Sequence, residues 1–199
     1  MNYQLEMEEI IKSLDYRPKL LLHSCCGPCS SYVLSVLTNY FDITVYFYNP
    51  NIYPNEEYNK RLEEQIKLIN EMNDNKIDIV ETFYDDKDYY AYIKGYEKDR
   101  EGGVRCHLCY QYRMEKTCIY AKENNYDYFT TTLSVSPYKN SKVLNEIGKR
   151  LEEQYDVKYL YSDFKKKDGY KKSIELSKKY DLYRQDYCGC KYSIRKIDE

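Results

Sequence analysis

Apolar positions change period several times along the chain, and each change predicts an element. Lys19–His23 (KLLLH) is a short unbroken apolar run that stops at a Cys/Gly/Pro turn, which predicts a buried strand. Pro28 suits the first turn of a helix, where its missing N–H costs nothing. Val33, Leu34 and Leu37 share one face of that helix, which should reach about Asn39. Ile43–Tyr48 (ITVYFY) predicts a second strand, ended by Asn49-Pro50. Asn55 is the expected cap of a long helix to about Met72, with Leu62, Ile66 and Ile69 at helical spacing. Lys76–Val80 predicts a weak third strand. A Tyr-rich, charged and irregular segment follows, with 85–105 as a possible insertion or lid. Helix is predicted for His107–Asn124, strand for Tyr126–Thr132 and helix for Ser141–Gln154. Lys158–Tyr161 predicts a last strand and Gly169–Tyr180 a last helix. Strands alternating with helices predict a three-layer α/β fold around a mainly parallel sheet.

Composition narrows the class. The chain has 199 residues, 42% hydrophobic and 32% charged, which suits one soluble domain able to bury a core without a disulfide scaffold. The longest aliphatic run, Leu20-Leu21-Leu22, is far too short to span a bilayer. The start, MNYQLEMEEIIKSLDY, is acidic and mixed, unlike an export signal. The expected location is therefore the cytoplasm, where eight cysteines suit metal binding or catalysis better than disulfides. Residues 1–17 read as an N-terminal extension and 18–199 as one domain. Charge is uneven: 158–199 carry +5 and 1–157 carry −7, against −2 overall. A basic C-terminal segment suits either a polyanionic partner or a solvated helix face.

Seven cysteines fall in three clusters: Cys25-Cys26-Gly27-Pro28-Cys29, Cys106-His107-Leu108-Cys109 and Cys188-Gly189-Cys190. Cys118 stands nine residues after Cys109 in a predicted helix. At about 100° per residue it lies on the opposite side, so it reads as a small buried hydrophobe. The first cluster sits where a strand gives way to a helix, a place where α/β sheets build sites. Helix N-termini favour thiolates, the form that binds metal. A C-x-x-C pair serves zinc, iron–sulfur and dithiol chemistry alike. The C-x-C pair can close a small strained disulfide or supply two more metal ligands. His23 and His107 lie within three residues of a cysteine and read as hydrogen-bond donors to sulfur rather than ligands. Neither G-x-x-x-x-G-K-[ST] nor G-x-G-x-x-G is present. Nor is the SGGxDS-type loop of ATP-pyrophosphatases, whose place is taken by Ser24–Ser30.

These motifs, in order, carry a resemblance. His23-Ser24-Cys25-Cys26-Gly27-Pro28-Cys29, Cys106-His107-Leu108-Cys109-Tyr110, Thr131-Thr132-Leu133 through Ser136-Pro137-Tyr138-Lys139, and Arg184-Gln185-Asp186-Tyr187-Cys188-Gly189-Cys190 together resemble the cobalamin-independent epoxyqueuosine reductases, the QueH family. The likeness runs from about residue 18 to 195. It implies an ATP-pyrophosphatase-like (HUP) layer without its nucleotide loop. It implies two-electron reduction of epoxyqueuosine to queuosine at the tRNA wobble position, the last step of queuosine synthesis. It implies a [4Fe–4S] cluster on Cys25, Cys26, Cys106 and Cys109, a redox-active pair at Cys188 and Cys190, and no cobalamin. Cys29 has no clear counterpart and could bind an additional iron.

Closeness to the motifs makes His23, Tyr138 and Asp186 candidate acids for the departing oxygen. The expected partners are tRNA carrying epoxyqueuosine and an electron donor of unknown identity, with no membrane. Lys165-Lys166-Lys167, Lys171-Lys172 and Lys178-Lys179 could meet phosphates. Two alternatives stand beside this reading: a zinc-stabilised nucleic-acid-binding domain, and an ATP-pyrophosphatase-type tRNA-modifying enzyme.

Overall fold

The computed structural model describes residues 2–72 and 77–194. Five strands form one all-parallel sheet in the order β3-β2-β1-β4-β5: β1 Lys19–His23, β2 Asp42–Phe47, β3 Asp78–Glu81, β4 Tyr128–Thr131 and β5 Lys158–Tyr159. The helices are α1 Tyr3–Lys12, α2 Gly27–Leu37, α3 Asn55–Glu71, α4 Lys87–Tyr92, α5 Val104–Glu123, α6 Ser141–Tyr155 and α7 Gly169–Lys179.

Alternation along β1 builds both faces of the sheet, because successive side chains point opposite ways. Leu20 and Leu22 face one layer with Leu34 and Leu37 of α2, Leu68 of α3 and Met7 of α1. Leu21 faces the other layer with Met114 and Cys118 of α5 and Leu144, Ile147 and Leu151 of α6. Burial on both sides explains why β1 is continuously apolar. The 1–17 segment is thus not a loose appendage: α1 seats Met7 in the core at 2% exposure.

Strand order reverses between β1 and β4. One neighbour of β1 is reached through α2 and the other after α5, so a crevice opens at their carboxyl ends. The segment after β1 enters α2 there. The segment after β4 folds into a 3-10 turn, Thr132–Val135, whose start is fixed by the Thr131 hydroxyl accepting from the Leu133 N–H.

Several boundaries differ from the sequence expectation. Asn55 is the first residue of α3 rather than its cap, which is Pro54. Helix α5 begins at Val104, a turn-length early, which brings Cys106 into its first turn. The 85–105 stretch contains the short helix α4, packed through Tyr89 and Ile93 against Cys109. Lys76, the predicted start of β3, lies outside the described residues.

One close approach ties α6 to the sheet. A Cβ on Gly148 would lie 2.3 Å from the ring of fully buried Tyr159. Overpacking of this kind costs about 1–3 kcal/mol. Gly148→Ala should therefore lower Tm by roughly 3–10 °C in a thermal melt, and an unchanged Tm would show that this contact relaxes freely.

Candidate metal and redox site

The β1–α2 junction places the first cysteine cluster. Cys26 precedes α2 in extended conformation with no side-chain cap, and Pro28 occupies the first turn. Their loop is held from behind. Ser24 Oγ and Ser30 Oγ both donate to Gln65 Oε1, at 2.7 and 2.6 Å, and Asn49 Nδ2 donates to the Ser24 carbonyl at 2.8 Å. So fixed, the ligand atoms of Cys25, Cys26 and Cys29 all lie within 4.8 Å of one another. Cys26 is buried, while Cys25 and Cys29 are partly exposed.

The three sulfurs interact, and Cys25 is the one that gives up its proton most readily. The thiols of Cys26 and then Cys29 hold Cys25 well below the ordinary cysteine range, and the charges of Arg113 and Lys139 act the same way. The same contact with Cys25 pushes Cys26 up to about 12, and contact with Cys25 and then Cys26 raises Cys29. The free N–H groups at the start of α2 favour this negative sulfur.

Each motif sulfur other than Cys29 and Cys190 has a named neighbour, and none of these is a histidine. Gln185 Nε2 donates to Cys26 Sγ at 3.0 Å, and the Gly102 N–H donates to Cys106 Sγ at 3.2 Å. Arg113 Nη1 approaches Cys109 Sγ at 3.9 Å, and Lys139 Nζ approaches Cys188 Sγ at 3.3 Å. Thr132 Oγ1 lies 3.9 Å from Cys25 Sγ. Burial foremost raises the Cys106 thiol and pushes Cys190 up to about 11. All eight cysteines are free thiols, and Cys118 lies buried in the α5–α6 core as expected, its sulfur 3.8 Å from the Leu151 carbonyl.

A cavity of about 450 Å³ opens over this region, a size that suits a small ligand. Its walls include Cys25, Cys29, Arg113, Lys139, Asp186 and Cys188. Asp186 and Tyr138 are exposed there, Tyr138 at 81%. His23 is not on that wall. Its Nδ1 meets Thr131 Oγ1 at 2.8 Å and its Nε2 meets the Tyr48 carbonyl at 3.2 Å. Burial, helped by the Arg113 charge, pushes it down to about 3, so the ring is neutral and spans β1, β4 and the end of β2. His107 packs its ring against Tyr110. Among the described residues only Cys25, Cys26 and Cys29 form a metal-sized group; Cys106 and Cys109 lie outside that 4.8 Å set.

The donor set fits an anionic metal–thiolate group. Arg113 is 2% exposed, its Nε has no partner among the described residues, and the sulfurs of Cys109, Cys25 and Cys188 lie near it. Among the described residues neither Arg113 nor Lys139 pairs with a carboxylate. A buried cation needs such compensation. Sequence reasoning passed over Arg113, Lys139, Gln185 and Gly102. Arg113 carried a signal, since it follows Cys109 by one helical turn and so shares its face.

Fold and site together define an α/β protein whose cysteine cluster can hold a metal, at a sheet crevice that has no phosphate loop. Comparison with known proteins narrows this. The family model described as "Epoxyqueuosine reductase QueH" matches residues 20–196. Proteins of that name are similar throughout: one from Streptococcus pyogenes serotype M1 is 42% identical over 98% of this chain and 79% of its own length. One from Staphylococcus epidermidis is 42% identical over 98% of this chain and 86% of its own. One from Thermotoga maritima is 36% identical over 88% of this chain and 90% of its own. The chain belongs to the QueH family.

Neutral groups in place of a cation beside metal-bound sulfur typically cost about tenfold in metal affinity. Arg113→Met keeps the apolar stem and removes the charge. Metal analysis of the anaerobically purified variant should find severalfold less bound metal per chain, with Arg113→Lys in between. Full metal content in a folded Arg113→Met protein would show that the sulfurs do not depend on this cation.

Proposed function

We propose that this chain reduces epoxyqueuosine to queuosine at the wobble position of tRNA, in the cytoplasm, where thiols stay reduced. Membership of the QueH family supports the reaction. The observation that carries the chemistry is the sulfur-lined cavity, into which Cys25, Cys29 and Cys188 open beside two cations that have no carboxylate partner among the described residues. Cys25, Cys26, Cys106 and Cys109 hold a [4Fe–4S] cluster in this reading, and Cys29 is available to an additional iron. Such a cluster, when bound, supplies one-electron transfer.

The chain's own residues supply the rest. Cys188 and Cys190 form a dithiol pair of unequal exposure: Cys188 faces the cavity and Cys190 is buried. Removing the epoxide oxygen as water consumes two electrons and two protons, which is what a dithiol releases as it becomes a disulfide. Asp186 and Tyr138 at the mouth, and not His23, remain as acids for the departing oxygen. No described helix is long and apolar enough to cross a membrane.

For the tRNA backbone, α7 offers the better surface. Its first turn reaches the cavity through Tyr170 and Ser173, and Lys171, Lys172, Lys178 and Lys179 follow, all exposed. The Lys165–Lys167 run is less free, because Lys165 is 2.8 Å from Asp163 and Lys167 pairs with Glu8.

Two experiments test this. Protein purified anaerobically should be brown, carry about four iron and four sulfide per chain, and bleach with dithionite. Three clustered thiols suit zinc as well, so a colourless protein with one tight zinc after iron–sulfur reconstitution would sink the cluster. For tRNA, the Lys171→Glu/Lys172→Glu variant should weaken binding at least tenfold. It should also flatten the salt dependence, by about one unit of slope for each phosphate it no longer neutralises. Lys165→Glu should do less; the opposite ranking would move the tRNA track off α7.

A further inference from the structure

Lys139 has so far been given only its charge, with no part in the reaction. The chain turns sharply after β4, through the 3-10 turn and Ser136-Pro137, and points this side chain into the sulfur-lined cavity. Its stem is partly exposed, but its ammonium turns inward. Nζ lies 3.3 Å from Cys188 Sγ and 5.6 Å from the centroid of the Tyr110 ring. Among the described residues no other cation touches that sulfur. Arg61 donates to the Cys188 and Tyr187 carbonyls, at 3.4 and 3.3 Å, and pairs with Glu57, while the Arg113 guanidinium hydrogen-bonds to Asn49 and approaches Cys109.

The backbone around Cys188 is fixed independently of this contact. Gly189 adopts φ +100°, and a Cβ there would meet Arg61 Nη1 at 2.9 Å and Ile52 at 3.0 Å. The Gly189 carbonyl accepts from the Tyr53 N–H at 2.8 Å. Arg61 and Tyr53 therefore place the loop, and Lys139 is left to place the sulfur.

We propose that Lys139 is the positioning residue of the C-x-C pair: its ammonium binds the Cys188 sulfur as a thiolate and fixes it on the cavity wall, ready to donate electrons. The inference rests on the reading of Cys188 and Cys190 as the redox pair. In the step it serves, each sulfur gives up one electron and the S–S bond forms; Cys190 releases its thiol proton, and the second proton comes from the acid at the cavity mouth, since a Cys188 thiolate has none to give. Those two electrons and two protons are consumed as both C–O bonds of the epoxide break, leaving an alkene and one water. The ammonium stabilises the donor before the step and loses its anionic partner after it. Its surroundings agree. Burial lowers a lysine's proton affinity, yet Cys188 first, then Tyr110 and Cys25, more than offset this and raise it.

The test is thiol trapping on the full-length, anaerobically purified and reduced chain, read peptide by peptide by mass spectrometry. At pH 7, Lys139→Gln should slow carboxamidomethylation of Cys188 by iodoacetamide about tenfold, since the thiolate is the reacting form. The rate ratio of anionic iodoacetate to neutral iodoacetamide at Cys188 should fall severalfold, which loss of fold alone would not produce. Lys139→Arg should stay within about threefold of the unmodified chain on both readouts. A reciprocal measurement needs no variant: capping Cys188 with iodoacetamide should speed acylation of Lys139 by acetic anhydride about fivefold. Equal Cys188 rates in Lys139→Gln, or Lys139 acylation indifferent to the cap, would overturn the proposal. A Cys188→Ser chain that still reduces the epoxide would instead overturn the redox reading, with the trapping result standing on its own.

Discussion

Everything at this site depends on positive charge held against sulfur. Arg113 is 2% exposed on α5, and Lys139 turns its ammonium inward from the β4–α6 connection. Neither meets a carboxylate among the described residues. Taking a cation out of water costs several kcal/mol unless an anion or strong dipoles replace the lost hydration. The partners on hand are Cys109, Cys25 and Cys188, together with Asn49 Oδ1, the side-chain amide oxygen, which accepts from Arg113 Nη2. The cations therefore make sense only beside thiolates, or beside a metal bound to them. The converse also holds. Three sulfurs within 4.8 Å would repel one another if all were charged, and their contacts lower the Cys25 thiol while raising those of Cys26 and Cys29.

Topology explains how three distant sequence motifs reach these two cations. A parallel sheet with order 3-2-1-4-5 leaves one crevice, between the carboxyl ends of β1 and β4. Cys25–Cys29 leave β1 there, and Lys139 follows β4. Helix α5, which runs back to the start of β4, has its N-terminal half over the same edge, carrying Cys106, Cys109 and Arg113 on one face. His23 joins the strands beneath, bridging Thr131 and the Tyr48 carbonyl. Its role is that of a neutral strut. A charged imidazole there would face Arg113, which is why burial and that charge both disfavour its protonation.

Legibility from the sequence followed burial. Strand β1, apolar on both faces, appears with the residues predicted for it, and the layers and the parallel sheet followed from alternation alone. Cys118 was readable because one angle on one helix settles which side it faces. Edges were harder. Strand β5 keeps only Lys158–Tyr159, and α5 starts before His107 because Gly103 can open a helix without a side-chain cap. The site divided in the same way. Cysteine spacing marked where the sulfurs are, but not what surrounds them. The donors Gln185 and Lys139 come from segments that meet their sulfurs only in three dimensions. The basic run 165–167 looked like a free patch because its partners, Asp163 and especially Glu8 on α1, are set by packing rather than by local pattern. The partners of His23 were not legible for a related reason: proximity to cysteine in sequence says nothing about which way a strand residue points.

The two halves of the site are held with different stiffness, and this bears on their chemistry. Cys25, Cys26 and Cys29 sit at a strand–helix junction braced by Gln65 and Asn49, behind which lies the hydrophobic core. Such a mount suits a group whose geometry must not change as electrons pass. Cys188 sits on a loop anchored through its backbone, by Arg61 and by the Gly189–Tyr53 hydrogen bond, with only one side-chain contact on its sulfur among the described residues. A sulfur that closes a disulfide, as proposed for Cys188, would need that freedom. A rigid backbone with a single breakable ion–sulfur contact provides it, because the lysine can release the sulfur without moving the loop. In the proposed reaction the braced cysteines and the releasable sulfur share one cavity wall, so electron transfer and bond exchange would meet at one substrate.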